Sequence, residues 1–256
     1  MGYSTVILSE KDGIARLTLN RPDSLNALNM DILADMSSAL DSVKKEKAIK
    51  GLVITGQGER SFCAGADLGN LIRMEPKDYL EFIDISYEVW ESIWNMPFLT
   101  VAAINGLALG GGCELALACD LRIAVKESVF GLPELDHGLL PGFGGLVFMS
   151  RILGRAKTLE LVLTGKTLTA EEALAMGMIT QIADRENLFN EAEEYIADIA
   201  KKGPQIVKWT KQIINEYQTA DLRKGFMHEA LGGLAAFVTD DAKRGLERFK
   251  NRGKKN

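Results

Sequence analysis

Two short segments of this chain read as continuous apolar strands, Gly51–Thr55 (GLVIT) and Thr100–Ile104 (TVAAI), and a third strand follows at Leu121–Val125 (LRIAV). A strand without polar alternation offers no face to water, so it belongs in a sheet covered on both sides. The cover is written between the strands. Asn29 caps a helix whose apolar positions Ile32, Leu33, Met36 and Leu40 have helical spacing. Tyr79 to Asn95 is helical and aromatic, and Arg155 to Leu163 is helical again. Thr169 and Glu172 form a capping box for a helix to Met176. Ahead of these elements, Thr5–Ser9 and Ile14–Asn20 alternate around Lys11-Asp12-Gly13, the pattern of a hairpin. Ile179–Ile182 (ITQI) reads as a last short strand. From Glu186 the strand signals stop, and helical stretches follow, broken at Gly203-Pro204 and Gly232-Gly233. The order predicts an α/β fold with an all-helical C-terminal region.

Charge and composition exclude several function classes. The net charge is −5 over 256 residues, which argues against bulk nucleic-acid binding. The three cysteines, Cys63, Cys113 and Cys119, make no disulfide framework, and two histidines make no zinc cluster. The start of the chain lacks a basic region followed by an apolar stretch. The most apolar stretch, Leu99–Cys119, contains Asn105, three glycines in a row and Glu114, so it is a poor membrane span. A reduced, cytoplasmic protein with no metal is the expectation.

Three loops carry the chemistry. Gly110-Gly111-Gly112-Cys113-Glu114 follows a buried strand and opens a helix. Glycines let backbone approach a ligand, and the free N–H groups of a helix start attract negative charge. Glu114 is the single carboxylate between Leu99 and Cys119. A charge in such surroundings needs a partner, a shifted pKa or a task; a first-turn glutamate favoured by the helix dipole is the plainer reading. The second loop, Phe130–Leu146 (FGLPELDHGLLPGFGGL), is long and glycine-shaped, and it offers Glu134, Asp136 and His137. Taken singly, each of these is also explained as a solvated loop charge. The third, Gly56–Asp67 (GQGERSFCAGAD), only partly matches a dinucleotide fingerprint, because Ser61 stands in place of the third glycine. Its Ala64-Gly65-Ala66-Asp67 end has small residues that would let backbone N–H groups face a ligand.

In register, five blocks resemble the crotonase, or enoyl-CoA hydratase/isomerase, superfamily. They are Asn20-Arg21-Pro22 with Leu25-Asn26-Ala27-Leu28; Phe62 to Asp67; Ala103 to Gly106 with Gly110 to Ala116 and Cys119-Asp120; Gly131 to Glu134; and Pro141 to Gly145. The resemblance runs from about Thr5 to Arg252. It implies a crotonase-like spiral of repeated ββα units over residues 1–195, with a helical oligomerisation region over 196–256. It implies that the backbone N–H groups of Ala66 and Gly111 form an oxyanion hole for an acyl-CoA carbonyl. It implies that Glu114 and Glu134 hold a water, one taking its proton and one supplying a proton to the α-carbon. Coenzyme A contacts are implied at Leu25, Ala27, Ala64, Ala66, Asp67, Leu68 and Gly111. The substrate carries the coenzyme A, so no separate cofactor is implied. The implied assembly is a homotrimer or a dimer of trimers, with Phe249 and Lys250 near the adenine end.

The pattern departs from the family at three places. Leu146-Val147-Phe148 stands where Thr-Gln-Arg is common. His137 replaces an aliphatic residue. Leu68-Gly69 replaces an aliphatic–Lys pair. Isomerisation, dehydration, decarboxylation and thioester hydrolysis share the implied oxyanion site and are the alternative reactions; Cys113 would be the nucleophile of a hydrolase. The remote alternative is a non-enzymatic acyl-CoA or RNA-binding protein using the basic end at Lys250, Arg252, Lys254 and Lys255. The aromatic stretch Tyr79, Phe82, Tyr87, Trp90 and Trp94 reads either as acyl-pocket lining or as core, the latter favoured for Trp90 and Trp94.

Overall fold

The computed structural model describes residues 2–217 and residue 240. Phe249, Lys250, the other basic residues of the end, His228 and the Gly232-Gly233 break lie outside the described residues. The first compact unit ends at Ala197, and a second begins at Asp198.

Among the described residues the strands, in chain order, are β1 Val6–Lys11, β2 Ile14–Leu19, β3 Gly51–Gly56, β4 Ser61–Cys63, β5 Leu99–Ile104, β6 Leu107–Leu109, β7 Leu121–Val125, β8 Val129–Gly131, β9 Leu168–Thr169 and β10 Gln181–Ala183. The helices are α1 Met30–Lys45, α2 Leu68–Leu71, α3 Pro76–Trp94, α4 Gly111–Ala118, α5 Gly145–Leu153, α6 Arg155–Thr164, α7 Ala170–Ala175, α8 Leu188–Ala200 and, in the second unit, α9 Pro204–Tyr217. The hairpin forms as its sequence suggests. Asp12 at φ 54° and Gly13 at φ 80° supply the two positive angles of a tight turn whose twist suits the flanking strands.

The first sheet runs β1-β2-β3-β5-β7-β10, parallel from β2 onward. Its central strands are buried on both faces, for the reason their composition suggests. On one side Val53, Val101, Ala103, Ile123 and Val125 meet Leu188, Ala192 and Ile196 of α8. On the other side Leu52, Ile54, Ala102, Ile104 and Ala124 meet the larger core, which includes the Ile32, Leu33, Met36 and Leu40 face of α1. The side chain of Asn29 accepts the Ile32 N–H and caps that helix at 3.0 Å.

A second sheet, β4-β6-β8-β9, has strands of two or three residues that no sequence pattern announces. β4 lies inside the segment read as the glycine loop before Asp67, and β8 overlaps the start of the loop that begins at Phe130. Three residues are too few to display a period of two. α5 is likewise an addition, since Gly145–Leu153 begins within that loop. β10 starts two residues beyond the expected ITQI start, where the Arg122 carbonyl instead accepts the Thr180 N–H. With the second sheet in place the chain makes three ββα turns in succession: β3–β4–α3, β5–β6–α4 and β7–β8–α5. This is the spiral that the resemblance implies. None of the described helices is long and apolar enough to cross a membrane.

Candidate active site

Three neighbouring parallel strands, β4, β6 and β8, deliver the three suspected loops to one edge. β4 ends into Ala64-Gly65-Ala66, β6 into Gly110-Gly111, and β8 into Leu132-Pro133-Glu134. Ligands in parallel sheets bind beyond the carboxyl ends of strands, because loops converge there. A cleft lies at that edge and encloses about 650 Å³, part of it open to solvent. Its lining includes Ala64, Ala66, Leu68, Gly111, Glu114 and Glu134.

The backbone of the first loop is pinned by the segment before α1. Leu28 and Ala66 form a parallel bridge. The Leu28 N–H donates to the Gly65 carbonyl, and the Asp67 N–H donates to the Leu28 carbonyl, each at 2.8 Å. This pairing leaves out the N–H of Ala66. The N–H of Gly111 is also without a helical acceptor, because it opens α4. The two loops are close: a side chain at Gly65 would reach the Gly111 amide at 3.4 Å. Leu25 and Ala27 are both half-buried and off the cleft lining; Leu25 is tied to this loop, its carbonyl accepting the Ala64 N–H at 3.1 Å. Asp67 is also off the lining. Its carboxylate pairs with Arg21 at 3.0 Å and caps α2, and Arg21 and that cap hold it below the usual carboxylate range against the opposing effect of burial.

Glu114 sits in the first turn of α4, whose eight residues are all buried. Its Oε1 accepts the Phe143 N–H at 2.9 Å and the Gly145 N–H at 2.7 Å. Oε2 has no hydrogen bond among the described residues. Burial pushes the Glu114 carboxyl up to about 8, and the charge of Glu134 adds to it, while the two N–H donors oppose. The Pro141–Gly145 turn is thus the clamp on Glu114. Its own pattern of glycines marked a shaped loop, but the partner across the fold left no sequence signal.

Glu134 opens a short 3₁₀ turn, Glu134–His137, behind Pro133. Its Oε2 is buried without a hydrogen-bond partner among the described residues. Burial raises its pKa; its own backbone N–H and the nearby His137 pull it back. Glu134 Oε1 stands 2.8 Å from where a Cβ on Gly110 would be, and Gly110 is at φ 50°. Only glycine keeps that approach open. Asp136 turns elsewhere, toward Gly165. His137 is exposed on the cleft's lip. Two half-buried or buried carboxyl groups and two N–H groups without a partner among the described residues therefore border one cleft.

Cys113, beside Glu114, is fully buried, and burial and the Glu114 carboxylate push its thiol above the ordinary range. That removes the thiolate a nucleophile needs. The aromatic stretch divides. Phe82 and Trp90 pack edge-on against Phe143, Trp94 lies against Phe148, and Tyr87 is exposed. Tyr79 reaches the cleft. Leu71, Leu139 and Leu140 also line it, without any chemical signal that could have marked them.

A sequence model of the enoyl-CoA hydratase/isomerase family matches residues 9–256. The chain belongs to that family. It is 36% identical to the crotonyl-CoA hydratase of Syntrophomonas wolfei, covering 100% of this chain and 98% of that protein. It is 35% identical to the short-chain-enoyl-CoA hydratase of Clostridium acetobutylicum, covering 98% of this chain and 100% of the other. The crystal structure of an enoyl-CoA hydratase from Bacillus anthracis superposes with a TM-score of 0.93 at 31% identity, over 97% of each chain. As a member of this enzyme family the chain has the crotonase fold, and the ββα spiral is its frame.

Among the described glycines Gly112 has the closest neighbour. A Cβ there would lie 2.0 Å from the Cys63 carbonyl oxygen, at the junction of α4 with the end of β4. Gly112→Ala must push these elements apart, and with them the Ala66 and Gly111 amides. A stability loss of about 1–3 kcal/mol is expected from such overpacking, with loss of activity. Urea unfolding of the variant beside the parent checks it; coincident curves would refute the contact.

Proposed function

We propose that this chain is an enoyl-CoA hydratase that adds water reversibly across the 2,3 double bond of an enoyl-CoA thioester in fatty-acid or related acyl-CoA metabolism. The observation that carries the proposal is the pair Glu114 and Glu134 on one cleft with the Ala66 and Gly111 amides, which have no partner among the described residues. Attack of water at the β-carbon moves negative charge onto the thioester oxygen. Two fixed N–H donors stabilise that charge without having to reorganise. Glu114 and Glu134 hold the attacking water between them; one removes its proton and the other protonates the α-carbon. Their raised pKa values favour a pair that still holds a proton near neutral pH, as acid and base working together require. The reaction is a proton and water transfer, so the proposed enzyme uses no cofactor beyond the coenzyme A of its substrate. That coenzyme A runs along the loop Ala64, Ala66, Asp67 and Leu68 and past Gly111, with further contacts at Leu25 and Ala27.

We further propose a homotrimer or a dimer of trimers in the cytoplasm, with residues 196–256 as the oligomerisation region. The sequence resemblance of that region to the family's supports the assembly, and three buried cysteines in no disulfide among the described residues suit a reducing compartment. Isomerisation would need the same amides but only one carboxyl group facing the substrate; the second, buried carboxyl group favours hydration.

The deciding experiment follows the enoyl-thioester absorbance of a panel of acyl-CoA substrates with the purified full-length chain. Loss of the crotonyl-CoA signal with formation of the 3-hydroxyacyl product is expected. A shifted double bond, released coenzyme A or carbon dioxide instead of hydration would overturn the proposal.

A further inference from the structure

Tyr79 is the feature of the cleft that the two-glutamate reaction leaves unused. It lies in the first turn of α3, three residues before Phe82, so the two side chains share a face of the helix. Phe82 meets the Phe143 ring edge-on at a centroid distance of 5.1 Å. A phenylalanine at 79 would continue that apolar seam, so packing does not account for the hydroxyl. The Tyr79 oxygen lies 3.2 Å from where a Cβ on Gly142 would be. Gly142 is the residue before Phe143, whose N–H is bonded to Glu114. The hydroxyl thus sits one residue from the Glu114 clamp and on the wall of the cleft, and it makes no hydrogen bond among the described residues.

We propose that the Tyr79 hydroxyl is a third hydrogen-bonding ligand of the water held by Glu114 and Glu134, and so a catalytic residue of this chain. The proposal rests on the hydratase reading. A water held between a carboxylate and a carboxylic acid can still pivot about the line between them. A single donor to its oxygen stops the pivot and leaves one lone pair directed at the β-carbon. Fixing a reactant in that way is what positioning contributes to rate. Such a donor has to keep its proton beside two carboxyl groups. Tyr79 does: burial and the charge of Glu114, then Tyr87 and Glu134, push its pKa up. The other titratable group at this edge of the cleft, His137, lies on the lip.

The test compares the parent with Tyr79→Phe and Gly142→Ala in crotonyl-CoA hydration. Tyr79→Phe is expected to lower kcat about 10–100-fold, the value of one hydrogen bond to a reacting group, with little change in KM. Gly142→Ala keeps the phenol but presses on its oxygen, and it should lower kcat in the same direction. If Tyr79→Phe leaves kcat unchanged, or raises KM alone, Tyr79 is only a wall of the acyl pocket and the proposal falls. If the parent itself hydrates no enoyl-CoA while remaining folded by circular dichroism, the hydratase reading falls and this proposal with it. Parent activity with an unaffected Tyr79→Phe removes this proposal alone.

Discussion

Glu114→Gln and Glu134→Gln are each expected to reduce kcat for enoyl-CoA hydration about 10²–10⁴-fold, the usual worth of a positioned acid or base. The amide cannot take a proton from water or supply one to carbon. It does keep the shape and an acceptor oxygen, so at position 114 the Phe143 and Gly145 N–H groups retain their partner. The fold should therefore survive, and the loss should lie in kcat rather than KM. The double variant should lose far less than the product of the two single losses, because either change already breaks the shared step. Steady-state kinetics of the three variants, with circular dichroism as the control for folding, reads this directly. A single variant with full activity would sink the two-carboxylate reaction, while the oxyanion pair of Ala66 and Gly111 would remain.

A large effect of opposite sign is expected in stability. The Glu114 carboxyl stands at about 8 in the fold, against an ordinary 4.5. A group raised in this way favours folding fully below its unfolded value, and the contribution disappears as pH rises through the folded value. Between these limits the parent should lose about 1.4 kcal/mol per pH unit from this group, or roughly 4–5 kcal/mol in all. Glu134 is raised too, by burial, and adds a slope of the same sign. Glu114→Gln has no charge to bury, so its stability should be flatter across the same window and exceed that of the parent at pH 8. Urea unfolding of both proteins from pH 5 to pH 8 measures it. Parallel curves would mean that Glu114 is not held neutral by its surroundings. If instead the curves diverge as expected, the variant is the more stable protein at pH 8 and nearly inactive, as when an active site retains a group its fold disfavours.

The two expectations explain how the site was legible in the chain. Glu114 stood out because a lone carboxylate in an apolar run is costly wherever the run is buried, and the run's composition declared its burial. Glu134 did not stand out. Asp136 and His137 are of equally reactive types, and three polar residues on one loop differ only in where the turn aims them. The 3₁₀ turn behind Pro133 sends Glu134 inward, Asp136 toward Gly165 and His137 to the lip. The capping residues Asn29 and Thr169 and the buried strands β3 and β5 were equally readable, because their signals are local: a cap needs its own next turn, and a buried strand needs only its own side chains.

Composition and local pattern settled the fold class, the covered sheet, the glycine turn into α4 and the cost of Glu114, since each depends on residues adjacent in the chain. Tertiary structure alone decided that β4, β6 and β8 are neighbours. Three-residue strands carry no periodicity, and their pairing spans dozens of residues. That pairing places the Ala66 amide beside Gly111, brings Glu134 onto the cleft of Glu114, and gives Glu114 the amides of Phe143 and Gly145.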